Sequence, residues 1–464
     1  MYVGSSRFPS VVKMSEISPV FKKLDSLCKV NYRSVNLLTV WSKIFERLLS
    51  DQLTVFFLKI LDSKVSAYRK GYSCQHVILD LTEFCRKSLD ENEYVGTIST
   101  DLAKAFDSMP HGLLIAKLHA YGLSPNACGM VMSYLCNRKQ RVKVSGAFSE
   151  WSLINRGVPQ GSVLGPLLFN IFINDLFYVK ISGNITNYAD DNNLSDADVC
   201  SSSLQAKLSK DANSILHWYT ENSLDANPNK FQCIIMNRKG GLDISIPVRD
   251  ISLVSTHQIK VLGVTLDANL NFKSHVNNIC RSASRQINAL RRLSKVLTIS
   301  ARLKIYKSFI ASNFSYCPVT WIFCGKVNSK KLEKLQERAI RFVYNDSTSS
   351  YNELLKRGNL LPLDIYRLRF LAIEMYKCVN NTNPRYLNQL FTQKHTNYDL
   401  RDSNLLLQSS FNTYKYGYRS FTYYGTKLWN MLPPELKSSK NLNIFKHNIE
   451  AWCHTPSAQK LVIH

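Results

Sequence analysis

Two adjacent carboxylates, Asp190-Asp191, lie between a stretch that can be extended, Ile181 to Asn187, and the polar pair Asn192-Asn193. Neighbouring residues on a strand point to opposite faces, so both acids reach one spot only if the chain bends between them. The sequence therefore predicts a hairpin whose tip, Tyr188-Ala189-Asp190-Asp191, holds paired acids toward a ligand. Upstream, Arg156 to Pro166 forms a Gly/Pro-punctuated loop that enters an apolar run. Further upstream, Asp101 stands near the end of Tyr94 to Leu102, a segment rich in Val, Ile and Thr that reads as a strand. A carboxylate leaving a strand, a glycine-rich loop and a double-aspartate hairpin, in that order, point to two-metal nucleotidyl transfer.

Such a reaction uses two divalent ions about 3.5–4 Å apart. Hard oxygen donors suit Mg²⁺, which takes a few carboxylates and keeps some water. Asp101, Asp190 and Asp191 are the candidate ligands. Any one of them alone is more often a turn or cap residue; the three in their surrounding patterns outweigh that reading. Phe106 follows Asp101 by five residues and is placed to press against a nucleotide's sugar, where a ring would crowd a 2′-hydroxyl. Without the fold it reads equally well as a core aromatic. Gln160 and Gly161 sit in a loop whose glycines let backbone approach a ligand. Arg69 and Lys70, within Ala67 to Cys74, offer charge to phosphates, although such a loop taken alone is more often a solvated turn. Asp107 reads as structural, and His111 and His119 as polar residues of helices.

A chain of 464 residues exceeds the usual size of one core, so two or three domains are expected. The formal net charge of +25 favours a polyanionic partner and, beside the acid cluster, nucleic acid. Twelve cysteines occur as singletons with no C-x-x-C pair, so neither a structural zinc site nor a disulfide framework is indicated and reduced thiols are the expectation. No signal peptide or bilayer-length apolar run is visible. The expected location is intracellular, in cytoplasm or nucleus.

Met1 to Val30 shows little periodicity and is expected to be weakly ordered. From Thr39 a helix is predicted with Ile44, Phe45, Leu48, Leu49 and Leu53 as its buried stripe and Lys43, Glu46, Arg47 and Asp51 on the wet face. Helices are also expected from Leu113 to Gly122, Ala127 to Leu135, Leu167 to Phe177 and Leu204 to Tyr219. Strands are expected at Gln140 to Val144 and Phe231 to Met236, then a pair around Ile244 to Ile246 and Ile259 to Leu266. After Asp267 the composition shifts. Phe272 to Leu293 is apolar at spacings of three and four and carries Lys273, Arg281, Arg285, Arg291 and Arg292, with Lys295 beyond. With Ala301 to Phe314 and Lys330 to Tyr344 this makes a basic helical domain. Arg281, Arg285 and Arg292 suit a phosphate backbone; an ordinary solvated face is the plainer alternative. Leu363 to Val379 reads as a helix. The aromatics from Tyr414 to Trp429 read as a small core in preference to a base-stacking surface.

The ordered set Asn31 to Leu38, Tyr68 to Ser73, Asp101 to Asp107, Ser133 to Arg138, Gly157 to Phe169, Tyr188 to Asp191, Asn222 to Leu224 with Asn227 to Lys230, and Leu262 to Asp267 resembles the reverse transcriptase of non-LTR (LINE-type, jockey-like) retrotransposons. The resemblance covers about residues 30 to 345. It implies an α+β right-hand polymerase: fingers and palm with an antiparallel sheet over 31–267, a helical thumb over 268–345, and a mainly helical region of unknown role over 346–464. It places metal binding on Asp101, Asp190, Asp191 and the Leu102 carbonyl, and nucleotide contacts on Arg69, Phe106, Gln160 and Gly161. Lys230 is implied as a proton donor to pyrophosphate. The implied cofactor is a pair of Mg²⁺ ions, with Mn²⁺ as a substitute; the implied partners are an RNA template, a DNA primer or target, and deoxynucleoside triphosphates.

The sequence departs from the family pattern at Ser34, where Pro is usual, at Asn187, where an apolar residue is common, and at Asn192, where Thr is frequent. Full elements of this kind carry an endonuclease before the polymerase, and thirty residues cannot hold one, so a truncated reading frame is expected. The rival readings are an inactive remnant that still binds RNA and an intron-maturase-like enzyme, whose C-terminal pattern is not recognisable in Leu363 to His464.

Overall fold

The strand Tyr94–Thr100 lies at the centre of a five-stranded sheet. On one side are Gln232–Asn237 and then Gly240–Gly241; on the other are Asp191–Asp198 and then Asn184–Tyr188, every pair antiparallel. Both faces of the central strand are covered. Ile98 joins the core formed with Leu204, Leu208 and Leu216 of the helix Ser201–Glu221. Val95 joins that of Ile78, Leu81 and Leu89 of the helix Cys74–Asp90. Gly96 has no side chain because Leu208 and Ile235 fill the space where a Cβ would stand. The computed structural model describes residues 7–22, 25–293, 296–394 and 405–461.

A second sheet contains Met14–Phe21, which pairs antiparallel with Tyr32–Leu38 and parallel with Arg138–Val144. The N-terminal stretch expected to be weakly ordered therefore contributes a strand. Its order comes from partners distant in sequence, which local periodicity cannot reveal.

The helix Val40–Phe57 forms as expected, with Leu53 buried and Phe45 and Leu49 packed against the core, but Ile44, Leu48 and Glu46 fall on the opposite sides from those expected. Its buried positions include Ser42, Glu46, Ser50, Leu53 and Phe57, while Trp41, Ile44 and Leu48 are exposed at 68%, 46% and 55%. The cause is Glu46. Its Oε2 accepts from Val163 N at 2.7 Å and Leu164 N at 3.2 Å, and its Oε1 accepts from Ser42 Oγ at 2.9 Å. These amides lead into the helix Gly165–Ile173, whose N-terminus favours a negative charge. A buried carboxylate with three donors thus outweighs the apolar periodicity.

The expected pairing of Ile244–Ile246 with Ile259–Leu266 is also corrected. Ser245–Val248 pairs with Ile251–Val254, and Gln258–Val261 pairs with Val264–Asp267, giving two separate hairpins.

Beyond the sheet, the helix Lys273–Leu293 buries Val276, Ile279, Ala283, Ile287 and Leu290 and packs against Lys326–Tyr344. Lys295 lies outside the described residues. The helix Leu363–Val379 anchors a further core with Phe421–Met431 and Leu442–Trp452. Phe421, Tyr424 and Trp429 are buried there, Tyr416 is buried in the core that holds Val95, and Tyr414 is exposed, which makes the aromatic cluster mainly core. All twelve cysteines are free thiols. No described helix is long and apolar enough to cross a membrane.

Candidate active site

Tyr188 pairs with Asp191, so Ala189 and Asp190 form a two-residue hairpin turn. Ala189 has φ +56°, a left-handed conformation that is uncommon for a residue with a Cβ. Two buried asparagines hold it. Asn187 Nδ2 donates to Ala189 O at 2.7 Å and to Asn192 Oδ1 at 2.8 Å. Asn192 Nδ2 donates to the Tyr219 hydroxyl at 3.0 Å, and that hydroxyl lies 3.0 Å from Thr100 Oγ1. Asn187 and Asn192, two of the positions that depart from the family pattern, interlock here, so the departures are coupled.

Thr100 pairs with Asn192 at the end of the ladder, and Asp101 and Asp191 are the next residues of the two chains, close enough for Asp101 to act electrostatically on Asp191. Asp101 is fixed from its other side as well. Leu102 forms an isolated bridge with Ala226, and Ala103 N donates to Asp225 O at 2.7 Å. This draws in the turn Pro228–Lys230, and Lys230 Nζ stands 3.3 Å from Asp101 Oδ2 with both side chains about half exposed.

The acids feel one another. Desolvation raises the Asp190 carboxyl above its ordinary range, Asp101 adds to the rise, and Arg33 and Lys22 oppose it. Asp191 is pushed up to about 6, by desolvation first and then by Asp190 and Asp101. Their side chains nonetheless reach solvent. Among the described residues no three His, Cys, Asp or Glu side chains are closed into a ready-made metal cluster. The donor chemistry still fits a divalent ion: three mutually repelling carboxylates supply hard oxygen ligands at one end of the sheet, and a cation there would relieve the repulsion.

Phe106 sits on the short helix Ala105–Ser108 just after Asp101. One face of its half-buried ring stacks on Phe169, with centroids 4.4 Å apart, and Tyr68 meets it edge-on at 6.1 Å. The glycine loop docks on the same segment. Gly157 N donates to Met109 O at 2.7 Å and Val158 N to Phe106 O at 2.9 Å. Gly157 has φ +75°, and a Cβ there would stand 2.6 Å from backbone atoms of Phe106 and Asp107. Gln160 Nε2 lies 3.0 Å from each carboxylate oxygen of Asp107, and Gln160 O accepts from Asn36 N at 2.7 Å. Gly161, at φ +107°, passes close to Asn36 O.

The remaining predicted residues fall elsewhere. Arg69 Nη1 donates to Asp62 O at 2.6 Å and Val65 O at 2.9 Å, and its guanidinium lies over Tyr72, so much of its fork is engaged within its own loop. Arg281 and Arg285 are exposed and line an open cavity of about 630 Å³ with Lys260, Thr265, His275 and Tyr316. No carboxylate lines it among the described residues. Arg292 is exposed further along the helix, outside that lining.

The contributions of three residues to the site went unread in the sequence. Lys22 and Arg33, on the Met14–Phe21 and Tyr32–Leu38 side, act electrostatically on Asp190; only recognition of that strand pair could have found them. His111 Nε2 lies 2.7 Å from Gly157 O and helps seat the glycine loop.

Residues 21–266 match the family profile described as reverse transcriptase (RNA-dependent DNA polymerase). The chain is similar to the probable RNA-directed DNA polymerase from transposon BS of Drosophila melanogaster, 28% identical over 351 residues, covering 72% of this chain and 39% of that protein. It is also similar to the RNA-directed DNA polymerase from mobile element jockey of Drosophila funebris, 26% identical over 325 residues, covering 67% and 35% respectively. The chain thus spans about two-fifths or less of the length of these relatives. Among solved structures, telomerase from Candida albicans in complex with the TWJ fragment of telomeric RNA gives a TM-score of 0.44 at 13% identity, over 77% of this chain and 68% of that one.

Proposed function

The chain belongs to the reverse transcriptase (RNA-dependent DNA polymerase) family, and from that premise we propose that it copies the RNA of a non-LTR, jockey-like retrotransposon into DNA by two-metal nucleotidyl transfer. In this reading residues 31–267 supply fingers and palm, and 268–345 supply the thumb. The observation that supports it is the end of the central ladder at Thr100 and Asn192, beside which Asp101 and Asp191 follow with Asp190 at the adjoining tip, Asp101 adding to the raised carboxyl titration of both.

Asp101, Asp190, Asp191 and the Leu102 carbonyl would hold the two Mg²⁺ ions. When bound, such ions acidify the attacking 3′-hydroxyl and neutralise the leaving pyrophosphate. The protein's own part is positioning. Phe106 presents the solvent-reaching side of its ring to the sugar, and the Gln160–Asp107 bond fixes the Gly161 loop against which the nucleotide lies. Lys230, beside Asp101, is the proton donor to pyrophosphate. Arg69 keeps donors beyond its two backbone bonds for a phosphate oxygen. Arg281, Arg285 and Arg292 receive the backbone of the RNA template and DNA primer.

The test is primer extension on an RNA template with Mg²⁺ and deoxynucleoside triphosphates, run beside Asp190→Asn. Template-directed incorporation that the variant lacks supports the proposal. RNA binding with no incorporation by the parent would make the chain an inactive remnant.

A further inference from the structure

His76, Glu83 and Asp90 fall seven residues apart on the helix Cys74–Asp90 and therefore share one face. All three are buried. Each meets a different part of the C-terminal region. His76 Nε2 lies 3.2 Å from Glu374 Oε2. Glu83 accepts from Phe421 N at 2.7 Å, from Thr422 N at 3.0 Å and from Thr422 Oγ1, at the N-terminus of the helix Phe421–Met431. Asp90 accepts from Asn412 N at 2.8 Å and from Thr413 N and Oγ1 at 2.6 Å each. Between them Arg86 donates to Lys415 O at 3.3 Å and, with its other Nη, to Leu270 O at 3.0 Å. Buried carboxylates are tolerated only where such donors meet them, so this face is matched to one partner surface.

The same helix supports the candidate site. It packs against the strand Asn184–Tyr188, and Cys74, its first residue, lies beside the Tyr188 hydroxyl. The loop that precedes it is held by the same region. Thr382 O closes on Gly71, the Tyr386 hydroxyl lies 3.4 Å from Ser66 Oγ, and Lys64 Nζ stands 4.7 Å from the centre of the Tyr386 ring.

We infer that the described residues of 363–394 and 405–461 form a positioning element of the site: by docking on the His76, Glu83 and Asp90 face they fix the Cys74–Asp90 helix and, through it, both the Tyr188–Asp191 hairpin and the Ala67–Ser73 loop. The role in activity rests on the polymerase reading above; the mechanical coupling does not.

The experiment is hydrogen exchange by mass spectrometry on the full chain, comparing the parent with Glu83→Leu, Glu83→Gln and Gly417→Ala. Leucine removes the acceptor for three donors, glutamine keeps one oxygen, and a Cβ at Gly417 would run into the Asp90 carboxylate. The Leu and Ala variants should lose protection at 412–422 and, together with it, at 184–191 and 66–73, by tenfold or more in rate. The helix 165–173 should keep its protection, and Glu83→Gln should recover most of the loss. Loss confined to 412–422, with hairpin and loop as protected as in the parent, would overturn the inference. If Glu83→Leu fails to fold, Gly417→Ala decides the same question from the other side of the contact. Primer extension on the same samples should fall with hairpin protection; unchanged extension by a variant with a loosened hairpin would also overturn the positioning role. A parent inactive in extension would refute the polymerase reading and leave the exchange result standing.

Discussion

The Phe106 ring lies stacked on Phe169, with planes 22° from parallel, while its other surroundings leave it half-buried. The ring is thus a member of the core's edge, flanked by Phe169 and Tyr68, that still reaches solvent five residues after Asp101. A 2′-hydroxyl brought against the ring would lose water and gain no hydrogen-bond partner. Phe106→Ala should raise ribonucleotide incorporation relative to deoxynucleotide in single-nucleotide extension. The lost stack should lower stability by roughly 2–3 kcal/mol, less than for a fully buried Phe. A folded, active variant that rejects ribonucleotides as strictly as the parent would remove Phe106 from the sugar site.

His275 is buried, and its Nδ1 faces Thr265 N at 3.4 Å. Burial first, and the charge of Lys260 second, bring it down to about 4 from an ordinary 6.5. Lys260, Arg281, Arg285 and Tyr316 line the same cavity, and no carboxylate among its described lining offsets them. Below pH 6.5 the unfolded chain takes a proton there that the folded chain refuses, so stability falls as pH drops from 6.5 toward 4. His275→Gln should flatten this part of the profile, by roughly 2–3 kcal/mol between the two ends. Parallel denaturation profiles for parent and variant from pH 7.5 to 4.5 would contradict it.

The Tyr188–Asp191 hairpin, its acids and the strand before Asp101 were legible because strand alternation, turn chemistry and carboxylate spacing all act over a few residues. Glu46 was misread for a physical reason: apolar periodicity reports one face of a helix, whereas the carboxylate's three donors are Ser42 of the same helix and two amides of a loop 117 and 118 residues away. Met14–Phe21 was missed because its partners are Tyr32–Leu38 and Arg138–Val144, and with it went Lys22 and Arg33. Asn187 and Asn192 looked like independent departures until their side chains were seen to bond each other. The His76, Glu83 and Asp90 heptad was present in the sequence, yet nothing local distinguishes three buried polar residues from three wet ones.

Arg281 and Arg285 face an open groove with no carboxylate among its described lining residues, so a phosphate backbone bound there should release counterions. Each phosphate neutralised contributes about 0.7–0.9 to the slope of log affinity against log salt. Arg281→Glu with Arg285→Glu should therefore flatten the slope by about 1.4–1.8 and weaken binding to all sequences alike. Arg292→Glu, outside the groove, should do less. An unchanged slope in the double variant, read by fluorescence anisotropy with labelled RNA, would return these arginines to a solvated face.

The central claim is that acids from two neighbouring strands act as one metal-dependent site, and a Mg²⁺ titration of primer extension by the parent, Asp101→Asn and Asp190→Asn tests it most directly. Each amide should cost at least about a hundredfold in rate, and added Mg²⁺ should not restore it. Parental rates in Asp101→Asn beside a dead Asp190→Asn would contradict the account, because the strand register would then have brought together residues that do not share a task.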